Sequence, residues 1–281
     1  YEPGSIFKPV TLAAGLDAGK ITPGATYVDT GEEKIDQFTI RNSDKKAHGR
    51  QTMTEVLEKS LNTGTIFVER LLGKATFRAY VEKFGFGERT GIRLATEVKG
   101  DAAGLRRAGE IFAATISFGQ GMAATPLQMA MAYVPLGNGG LRYKPRIAEA
   151  ILRPDGQKEA VPAEPLGPVV SAQTSRLISA MLVNVVENGH GKRAAVPGYY
   201  VAGKTGTAQI PNPNGQGYLA DATIGSFVGY APADDPRFVI LVKIDRPKTV
   251  QYAESSAAPV FGELAKFLVS YLQVAPERPV E

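Results

Sequence analysis

The C-terminal part of the sequence limits the fold most strongly, because strand-forming segments separated by turn residues precede one long helical segment. Residues 199–209, 223–230 and 238–244 are rich in Val, Ile, Thr, Tyr and Phe, which favour pleated, half-buried strands. Residues 256–273 carry apolar side chains at helical spacing, as expected of a helix that covers a sheet. These side chains are Val260, Phe261, Leu264, Phe267, Leu268 and Tyr271. The sequence therefore predicts three antiparallel strands covered by a C-terminal helix.

The preceding part of the chain is predicted to be mainly helical, because apolar residues recur there at the helical period. The predicted helical segments are 5–19, several short helices within 52–84, then 110–116, 125–136 and 171–186. We expect a helical lobe at about 10–190 and a sheet with its helix at about 199–273, within one domain spanning 1–281.

Two further segments are predicted to add small strands. Residues 22–50 are rich in Gly, Pro, Asp and Lys and are expected to form surface loops around one strand or hairpin at 37–41. Residues 141–152 and 158–161 are expected to form a strand pair. The fold class is therefore α+β, with an antiparallel sheet flanked by helices.

Composition excludes several classes of function. The 281 residues include no cysteine and two histidines, so thiolate metal sites, disulfides and a histidine-rich metal cage are excluded. Both histidines, His48 and His190, lie in polar segments and are expected to be exposed loop residues. The 32 Lys and Arg residues are scattered among 28 Asp and Glu, so nucleic acid is not an expected partner. No cofactor and no metal site is predicted.

The N-terminus suggests a fragment. The chain begins at Tyr1 without a methionine, and it shows no signal-peptide pattern. No window reaches the roughly 18 consecutive apolar residues of a membrane span. We expect a longer protein whose membrane anchor lies upstream.

Ser5 and Lys8 form the first candidate catalytic pair. Pro3 and Gly4 signal a turn, and Pro9 fits only in a first helical turn, so Ser5 is predicted at a helix N-terminus. Residues three apart on a helix share a face, which brings the hydroxyl and the amine within hydrogen-bonding reach. A lysine whose pKa is lowered by burial or by a nearby cation can take the hydroxyl proton. The pair can therefore act as nucleophile and base.

This spacing alone is weak evidence, since about one chance match is expected in a chain of this size. Residues 43–46, Ser-Asp-Lys-Lys, fit it as well. They lie in a polar loop with no helix to align the pair, and they are expected to be solvated.

Ser60 and Asn62 form the second candidate element, at the junction of two helical segments. A second hydroxyl can relay a proton between the base and a leaving amine, and an asparagine amide can hold a lysine or bind a peptide carbonyl. Considered without other motifs, the two residues are better explained as a helix cap.

Lys204, Thr205, Gly206 and Thr207 form the third element, near the start of a predicted strand. Side chains alternate along a strand, so the two threonines face the same way, and Gly206 leaves room for a ligand to approach the backbone. Two hydroxyls and a lysine suit a carboxylate, and a second cation would help to lower the pKa of Lys8. An edge strand without a ligand is the alternative interpretation of this motif alone.

Together and in this order, the three motifs resemble those of the active-serine penicillin-recognising enzymes. The combination of Ser-x-x-Lys, Ser-Asp-Asn and Lys-Thr-Gly is a known signature of class A β-lactamases and penicillin-binding proteins. Further stretches resemble class B penicillin-binding proteins of the elongation, division or sporulation type, and the resemblance covers nearly the whole chain. These stretches are 1–4, 117–121 with 125–128, 201–209 and 226–232.

The resemblance implies a penicillin-binding-protein or serine β-lactamase-like fold and a D,D-transpeptidase that cross-links peptidoglycan stem peptides through an acyl-enzyme. It implies that Ser5 is the nucleophile, Lys8 its base, Ser60 a proton shuttle and Asn62 a substrate-binding residue. Lys204 is a further catalytic residue that also helps to hold the terminal carboxylate of the substrate.

The strand motif completes the implied site. Thr205, Gly206 and Thr207 are the further substrate-binding residues, and the backbone N–H groups of Ser5 and Thr207 are expected to form the oxyanion hole. Implied partners are stem peptides ending in D-Ala-D-Ala, β-lactams that trap Ser5, and a membrane-embedded glycan polymerase. The implied location is the outer side of the bacterial cytoplasmic membrane. Family members carry a strand pair and a helix before the serine motif, and this chain lacks them, so its sheet is expected to be incomplete.

Three rival functions stay open. A serine β-lactamase would use the same nucleophile, but Leu61 stands where the class A pattern has Asp, and no Glu-x-x-Leu-Asn segment follows. A β-lactam sensor would carry upstream membrane helices, which this chain does not include. A scaffold with a dead site would require all three motifs to survive by coincidence.

Overall fold

The structure is a computed structural model that describes residues 1–279 except 213, 214 and 216. Its helices are α1 (Lys8–Asp17), α2 (Met53–Glu58), α3 (Asn62–Leu72), α4 (Lys74–Lys83), α5 (Glu110–Ser117), α6 (Pro126–Gly137), α7 (Ala172–Glu187) and α8 (Ala257–Tyr271). Its 3-10 turns are Gly4–Phe7, Ala103–Arg106 and Lys192–Ala194. Its strands are β1 (Thr26–Asp29), β2 (Glu32–Ile35), β3 (Phe38–Arg41), β4 (Gly49–Thr52), β5 (Leu141–Lys144), β6 (Ala150–Leu152), β7 (Lys158–Ala160), β8 (Glu164–Pro168), β9 (Ala202–Pro211), β10 (Tyr218–Ala231) and β11 (Phe238–Asp245).

The last three strands form one antiparallel sheet in the order β11–β10–β9. In its register, Val228 lies opposite both Lys204 and Leu241. Side chains of β10 alternate between two buried clusters: Val228 packs with the helical lobe, whereas Phe227 packs against Phe261 of α8, with ring centroids 4.5 Å apart. The predictions of an α+β fold and of three antiparallel C-terminal strands are confirmed.

Helix α1 runs through the middle of the main core. Every residue from Lys8 to Leu16 is buried. A helix enclosed on all sides needs small or apolar residues all round, and this segment supplies them except at Lys8 and Thr11. A lysine is almost never fully buried without a partner, so Lys8 stands out as a residue kept for a reason other than packing.

The segment between α1 and α2 contains more strands than its composition predicts. Strand β1 pairs with β4 and β2 pairs with β3, whereas the sequence predicted one strand or hairpin near 37–41. The strands of the first pair contain many polar residues, so their apolar alternation is weak. The pair predicted from 141–152 is also different, because β5 pairs with β8 and only β6 pairs with β7.

Helix α8 covers the sheet with a different stripe from the predicted one. Its buried face holds Phe261, Ala265 and Val269. Four of the predicted core residues point outward instead, with exposed fractions from 43% to 72%. They are Val260, Leu264, Phe267 and Tyr271. Because the helix carries apolar residues on both sides, spacing alone did not distinguish the faces, and small residues mark the inner one.

Among the described residues, no helix has the combined length and apolarity that a bilayer crossing needs.

Candidate active site

The turn that carries Ser5 is fixed by a close backbone contact. Gly4, at φ +59°, donates its N–H to the Gly119 carbonyl oxygen at 2.9 Å. A Cβ on Gly119 would lie 2.2 Å from the Gly4 carbonyl oxygen, and Gly119 itself has φ +82°, so only glycine fits there. Tyr133 adds a hydrogen bond from its hydroxyl to the Ile6 carbonyl oxygen at 2.8 Å. The predicted helix N-terminus is therefore present as a 3-10 turn leading into α1.

Two buried lysines meet at Ser60. Lys8 donates from Nζ to the Ser60 carbonyl oxygen and to Ser60 Oγ, the latter at 3.2 Å. Lys204 donates to Ser60 Oγ at 3.1 Å and to the Thr205 carbonyl oxygen at 3.1 Å. Both lysines are fully buried, and neither forms an ion pair with a described carboxylate. One hydroxyl thus links residues from three separate parts of the sequence.

Burial changes the protonation of both amines. Removal from water lowers the pKa of Lys8 well below its ordinary value, and the nearby Lys204 charge lowers it further. Burial lowers the pKa of Lys204 to about 7. At neutral pH such amines can therefore accept a proton, which an exposed lysine does not do.

Ser60 is held in an unusual backbone conformation. Its φ is +57°, in the left-handed region that a non-glycine residue rarely adopts. The turn is closed by the Leu61 N–H, which donates to the Val56 carbonyl oxygen at 2.9 Å. Upstream, Thr52 and Glu55 form a capping box that fixes the start of α2. Strain of this kind persists where the surroundings determine the conformation.

Ser60, which both lysines contact, lines a cleft of about 330 Å³. It is lined by Ser5, Ser43, Asp44, Lys59, Ser60, His190, Thr205, Thr207, Tyr252 and Glu254. Ser5 Oγ has no hydrogen-bond partner among the described residues, so it is free to face a ligand. The cleft is thus lined both by the Ser5 hydroxyl and by the Ser60 hydroxyl that both lysines contact.

The Lys-Thr-Gly-Thr strand lies along one wall of this cleft. Thr205 and Thr207 both line it, as the alternation along β9 predicted. Thr207 Oγ1 accepts the Ala253 N–H at 3.0 Å, which fastens the segment carrying Tyr252 and Glu254 to the strand. This leaves the Thr207 hydroxyl hydrogen available for an anionic ligand.

The space left by the missing side chain of Gly206 is occupied by another part of the chain. A Cβ there would lie 2.9 Å from Ile6 Cγ2 and 3.1 Å from the Ile6 nitrogen. The missing side chain therefore lets the Ser5 turn pack closely on β9, a role that the sequence did not predict for this glycine.

Asn62 is a predicted substrate-binding residue that does not line the cleft. It begins α3, and its side-chain Nδ2 donates to the Arg41 carbonyl oxygen at 2.8 Å. The described residues around the cleft do not include it. One hydrogen bond of its amide is made to the end of β3, and its contact with substrate stays a prediction.

Two regions of the cleft were missed by sequence reasoning. Asp44, from the loop dismissed as a chance match, lines the cleft and lies 2.8 Å from Nε2 of His48. His190 also lines it and lies 3.0 Å from Glu254. The loops that carry these residues have no periodicity, so the sequence gives no signal that they reach the site.

Comparison with known proteins supports one family. The family described as penicillin binding protein transpeptidase domain matches residues 1–266. Stage V sporulation protein D of Bacillus subtilis is 40% identical over 282 residues, covering 99% of this chain and 43% of the relative. Peptidoglycan D,D-transpeptidase FtsI of Escherichia coli is 31% identical over 278 residues, covering 99% of this chain and 45% of the relative.

A solved structure agrees with these relatives. Penicillin-binding protein 3 from Mycobacterium tuberculosis, complexed with aztreonam, superposes with a TM-score of 0.91 at 34% identity, covering 100% of this chain and 64% of that one. The chain spans less than half the length of the two curated relatives. The match over residues 1–266, together with these class B relatives, confirms the predicted resemblance. The chain belongs to the penicillin-binding protein transpeptidase domain family, in its class B group.

Proposed function

We propose that this chain is the catalytic domain of a peptidoglycan D,D-transpeptidase that joins stem peptides through an acyl-enzyme on Ser5. The observation that carries the proposal is the convergence of two buried lysine amines on Ser60 Oγ, at 3.2 Å for Lys8 and 3.1 Å for Lys204, in a cleft that Ser5 also lines. Burial lowers the pKa of both lysines, and a neutral amine is the base that a serine nucleophile requires.

In the first step, Ser5 Oγ attacks the carbonyl carbon between two terminal D-alanines while Lys8 accepts the hydroxyl proton. The new C–O bond forms and the C–N bond breaks. The departing amine receives the proton from Lys8 through Ser60, which suits the hydrogen bonds of that hydroxyl. D-alanine leaves, and the rest of the donor stem stays bound to Ser5 as an ester.

In the second step, an amine of another stem peptide attacks the ester carbonyl. Its proton passes to Lys8, the new C–N bond forms, and the C–O bond to Ser5 breaks. The proton then returns to Ser5 Oγ, so the enzyme is regenerated and a cross-link is made.

Backbone and side-chain donors stabilise these steps. The Ser5 N–H belongs to a first helical turn, where amides have no intrahelical acceptor, and with the Thr207 N–H it would bind the oxyanion. Thr205, Gly206 and Thr207, with Lys204, would hold the terminal carboxylate of the donor stem. Asn62 would contact a substrate carbonyl after its amide leaves the Arg41 carbonyl oxygen.

The whole protein is proposed to act at the outer side of the bacterial cytoplasmic membrane, beside a membrane-embedded glycan polymerase and with its anchor upstream. β-Lactams are proposed to acylate Ser5 in place of the D-Ala-D-Ala end. Support comes from the relatives named for peptidoglycan transpeptidation and sporulation, and from the aztreonam complex of the similar structure.

The first test is intact-mass spectrometry of the natural-length protein after incubation with benzylpenicillin. The parent should carry a persistent adduct that Ser5→Ala lacks. Ser43→Ala is the matched control, because Ser43 lines the same cleft and has the same Ser-x-x-Lys spacing. It should still form the adduct. An adduct on Ser5→Ala would overturn the assignment, and an adduct lost within seconds would point to a β-lactamase.

A second assay tests the transfer itself. A peptide ending in D-Ala-D-Ala, supplied with a free amine acceptor, should give the transfer product and release D-alanine. Acylation without any transfer product would favour a sensor domain over a transpeptidase.

A further inference from the structure

Helix α3, which begins two residues after Ser60, has no side-chain cap from its own N-cap residue. Its N-cap position is held by Leu61, whose side chain is apolar and buried and makes no capping bond. The first amides of a helix have no intrahelical acceptor. Here a distant residue supplies one: Asn42 Oδ1 accepts the Asn62 N–H at 2.9 Å and the Thr63 N–H at 3.3 Å.

The orientation of the Asn42 amide is dictated by its neighbours. Its Nδ2 donates to both carboxylate oxygens of Asp29, each at 3.0 Å, and to the Lys46 carbonyl oxygen at 3.2 Å. Acceptors therefore surround the nitrogen, and N–H donors surround the oxygen. Asn42 is 2% exposed, so no water competes freely for these bonds.

Asp29 holds the Asn42 amide in this orientation. Its carboxylate accepts the Gly31 N–H at 3.0 Å, the His48 N–H at 2.9 Å and the Thr63 hydroxyl at 2.7 Å, besides the Asn42 amide. No described cation forms an ion pair with it. Asp29 therefore joins the end of β1, the loop at 42–48 and the start of α3 through hydrogen bonds alone.

We infer that Asn42, oriented by Asp29, is a positioning residue that holds Ser60 within hydrogen-bonding distance of the two lysines. This inference rests on the proposed function. Ser60 is the second residue before Asn62 and has a left-handed backbone that needs support from its surroundings. Capping the next helix from outside fixes the chain immediately after that turn. The same asparagine holds the loop that brings Ser43 and Asp44 to the cleft, so the loop and Ser60 form one unit.

The main test is Asn42→Ala in the natural-length protein, with stopped-flow acylation by a chromogenic cephalosporin. We expect the first-order acylation constant to fall about tenfold to a hundredfold, because small displacements of catalytic groups cause losses of that size. The dissociation constant of the noncovalent complex should change little, because Thr205 and Thr207 lie on β9. An unchanged acylation constant would overturn the inference.

Tyr27→Phe is the matched control within the same buried network. It removes only the hydroxyl 3.0 Å from Thr63 Oγ1 and leaves both capping bonds to Asn42. Its acylation constant should stay within about twofold of the parent, although its stability falls. An equal loss in both variants would mean that acylation reports general destabilisation and would contradict the inference.

Asp29→Asn tests the orientation of Asn42 without touching the cleft. The new amide places a donor where Asp29 accepts, so acylation should fall in the same direction as in Asn42→Ala. The effects on acylation should not add in the double variant, because both act through the same cap. Additive losses would show that Asp29 acts by another route.

Amide hydrogen exchange separates this inference from the proposed function. Asn42→Ala should speed exchange at the Asn62 and Thr63 amides more than in the rest of α3. If the parent is never acylated, the proposed function fails, whereas the exchange rates still report whether Asn42 holds the start of the helix. Unchanged exchange at these two amides would overturn the cap itself.

Discussion

Two buried polar clusters lie close to each other in the sequence at residues 60–63, and they differ in how their charged groups are paired. The lysine cluster consists of Lys8, Lys204 and Ser60, and no described carboxylate pairs with its amines. The carboxylate cluster consists of Asp29, Asn42 and Thr63, and four groups donate to its carboxylate. Burial costs free energy for any charge that is not paired or hydrogen-bonded.

Because of this difference in pairing, the lysine cluster can be reactive, whereas the carboxylate cluster holds neighbouring segments in place. In the lysine cluster the cost of burial lowers the pKa of both amines, which makes them bases. In the carboxylate cluster the donors satisfy the oxygens, so the same depth of burial gives a rigid connection between β1, a loop and α3. Substitutions in the first cluster should therefore lower acylation without lowering stability, and those in the second should lower stability and displace Ser60.

The largest effect is expected from Lys8→Met. Removing the proposed general base should lower the acylation constant about a thousandfold, within the range of such catalysis. The unfolding free energy should not fall in parallel, because methionine fills similar space without a buried charge. Stopped-flow acylation and urea unfolding on the same samples measure the two quantities. Acylation near the parent rate would show that Lys8 is not the base.

Asp29→Ala should break the carboxylate cluster. The His48 and Gly31 N–H groups and the Asn42 amide would lose their acceptor in a buried site. Buried donors without partners are costly, and we expect the unfolding free energy to fall by about 3 kcal/mol. Urea unfolding with an unchanged m-value measures the loss. A change below about 1 kcal/mol would mean that water replaces the carboxylate at little cost.

Lys204→Met should raise the unfolding free energy, whereas Asp29→Ala lowers it. Folded Lys204 has a pKa of about 7, whereas in the unfolded chain a lysine has its ordinary value of about 10.4. The folded protein therefore binds fewer protons between these pH values, and the stability of the parent rises with pH across this window. Methionine removes the penalty, so the variant should be more stable by about 2 kcal/mol at pH 6.

The gain from Lys204→Met should shrink as pH rises from 7 towards 10, because folded Lys204 is largely neutral above pH 7 and the free-energy cost of removing its proton falls as the pH approaches the ordinary lysine pKa. Acylation should be abolished or strongly reduced at every pH. Thermal unfolding at pH 6 and pH 9 measures the trend. A gain that is constant with pH, or a loss at pH 6, would contradict burial of the charge as the cause.

The comparison also explains which parts of the site the sequence could predict. The motifs holding Ser5, Ser60 and Lys204 were predicted to meet, because residue types and the family resemblance identify them. Strand alternation correctly put Thr205 and Thr207 on one wall of the cleft. The shared wall depends on local spacing, which a sequence displays, whereas the meeting of the three motifs was predicted from the resemblance.

The carboxylate cluster depends on contacts that local spacing does not show. Asn42 caps a helix 20 residues further along the chain, and Leu61 at the N-cap gives no signal that an outside residue is needed. The hydrogen bond from the Asn62 amide to the Arg41 carbonyl oxygen, in the same region of the chain, is another contact that local spacing does not show. The stripe of α8 was wrong for a related reason, because only the tertiary packing shows which apolar face meets the sheet.

The smallest expected effect, from Tyr27→Phe, tests how far the carboxylate cluster acts as a unit. Thr63 Oγ1 donates to Asp29 at 2.7 Å, so the Tyr27 hydroxyl must donate to Thr63. Burial raises the pKa of Tyr27, which keeps this proton in place. The ring keeps its stacking on Phe67, at 5.4 Å between centroids, so only one hydrogen bond is lost.

That loss should lower the unfolding free energy by about 1 kcal/mol. All the donors to Asp29 would keep their acceptor, unlike in Asp29→Ala. Urea unfolding of Tyr27→Phe alone, Asp29→Ala alone and the double variant measures the coupling. A loss in Tyr27→Phe as large as that in Asp29→Ala would mean that the Tyr27 hydroxyl holds Thr63 against the carboxylate, and the cluster would then include β1 through two side chains instead of one.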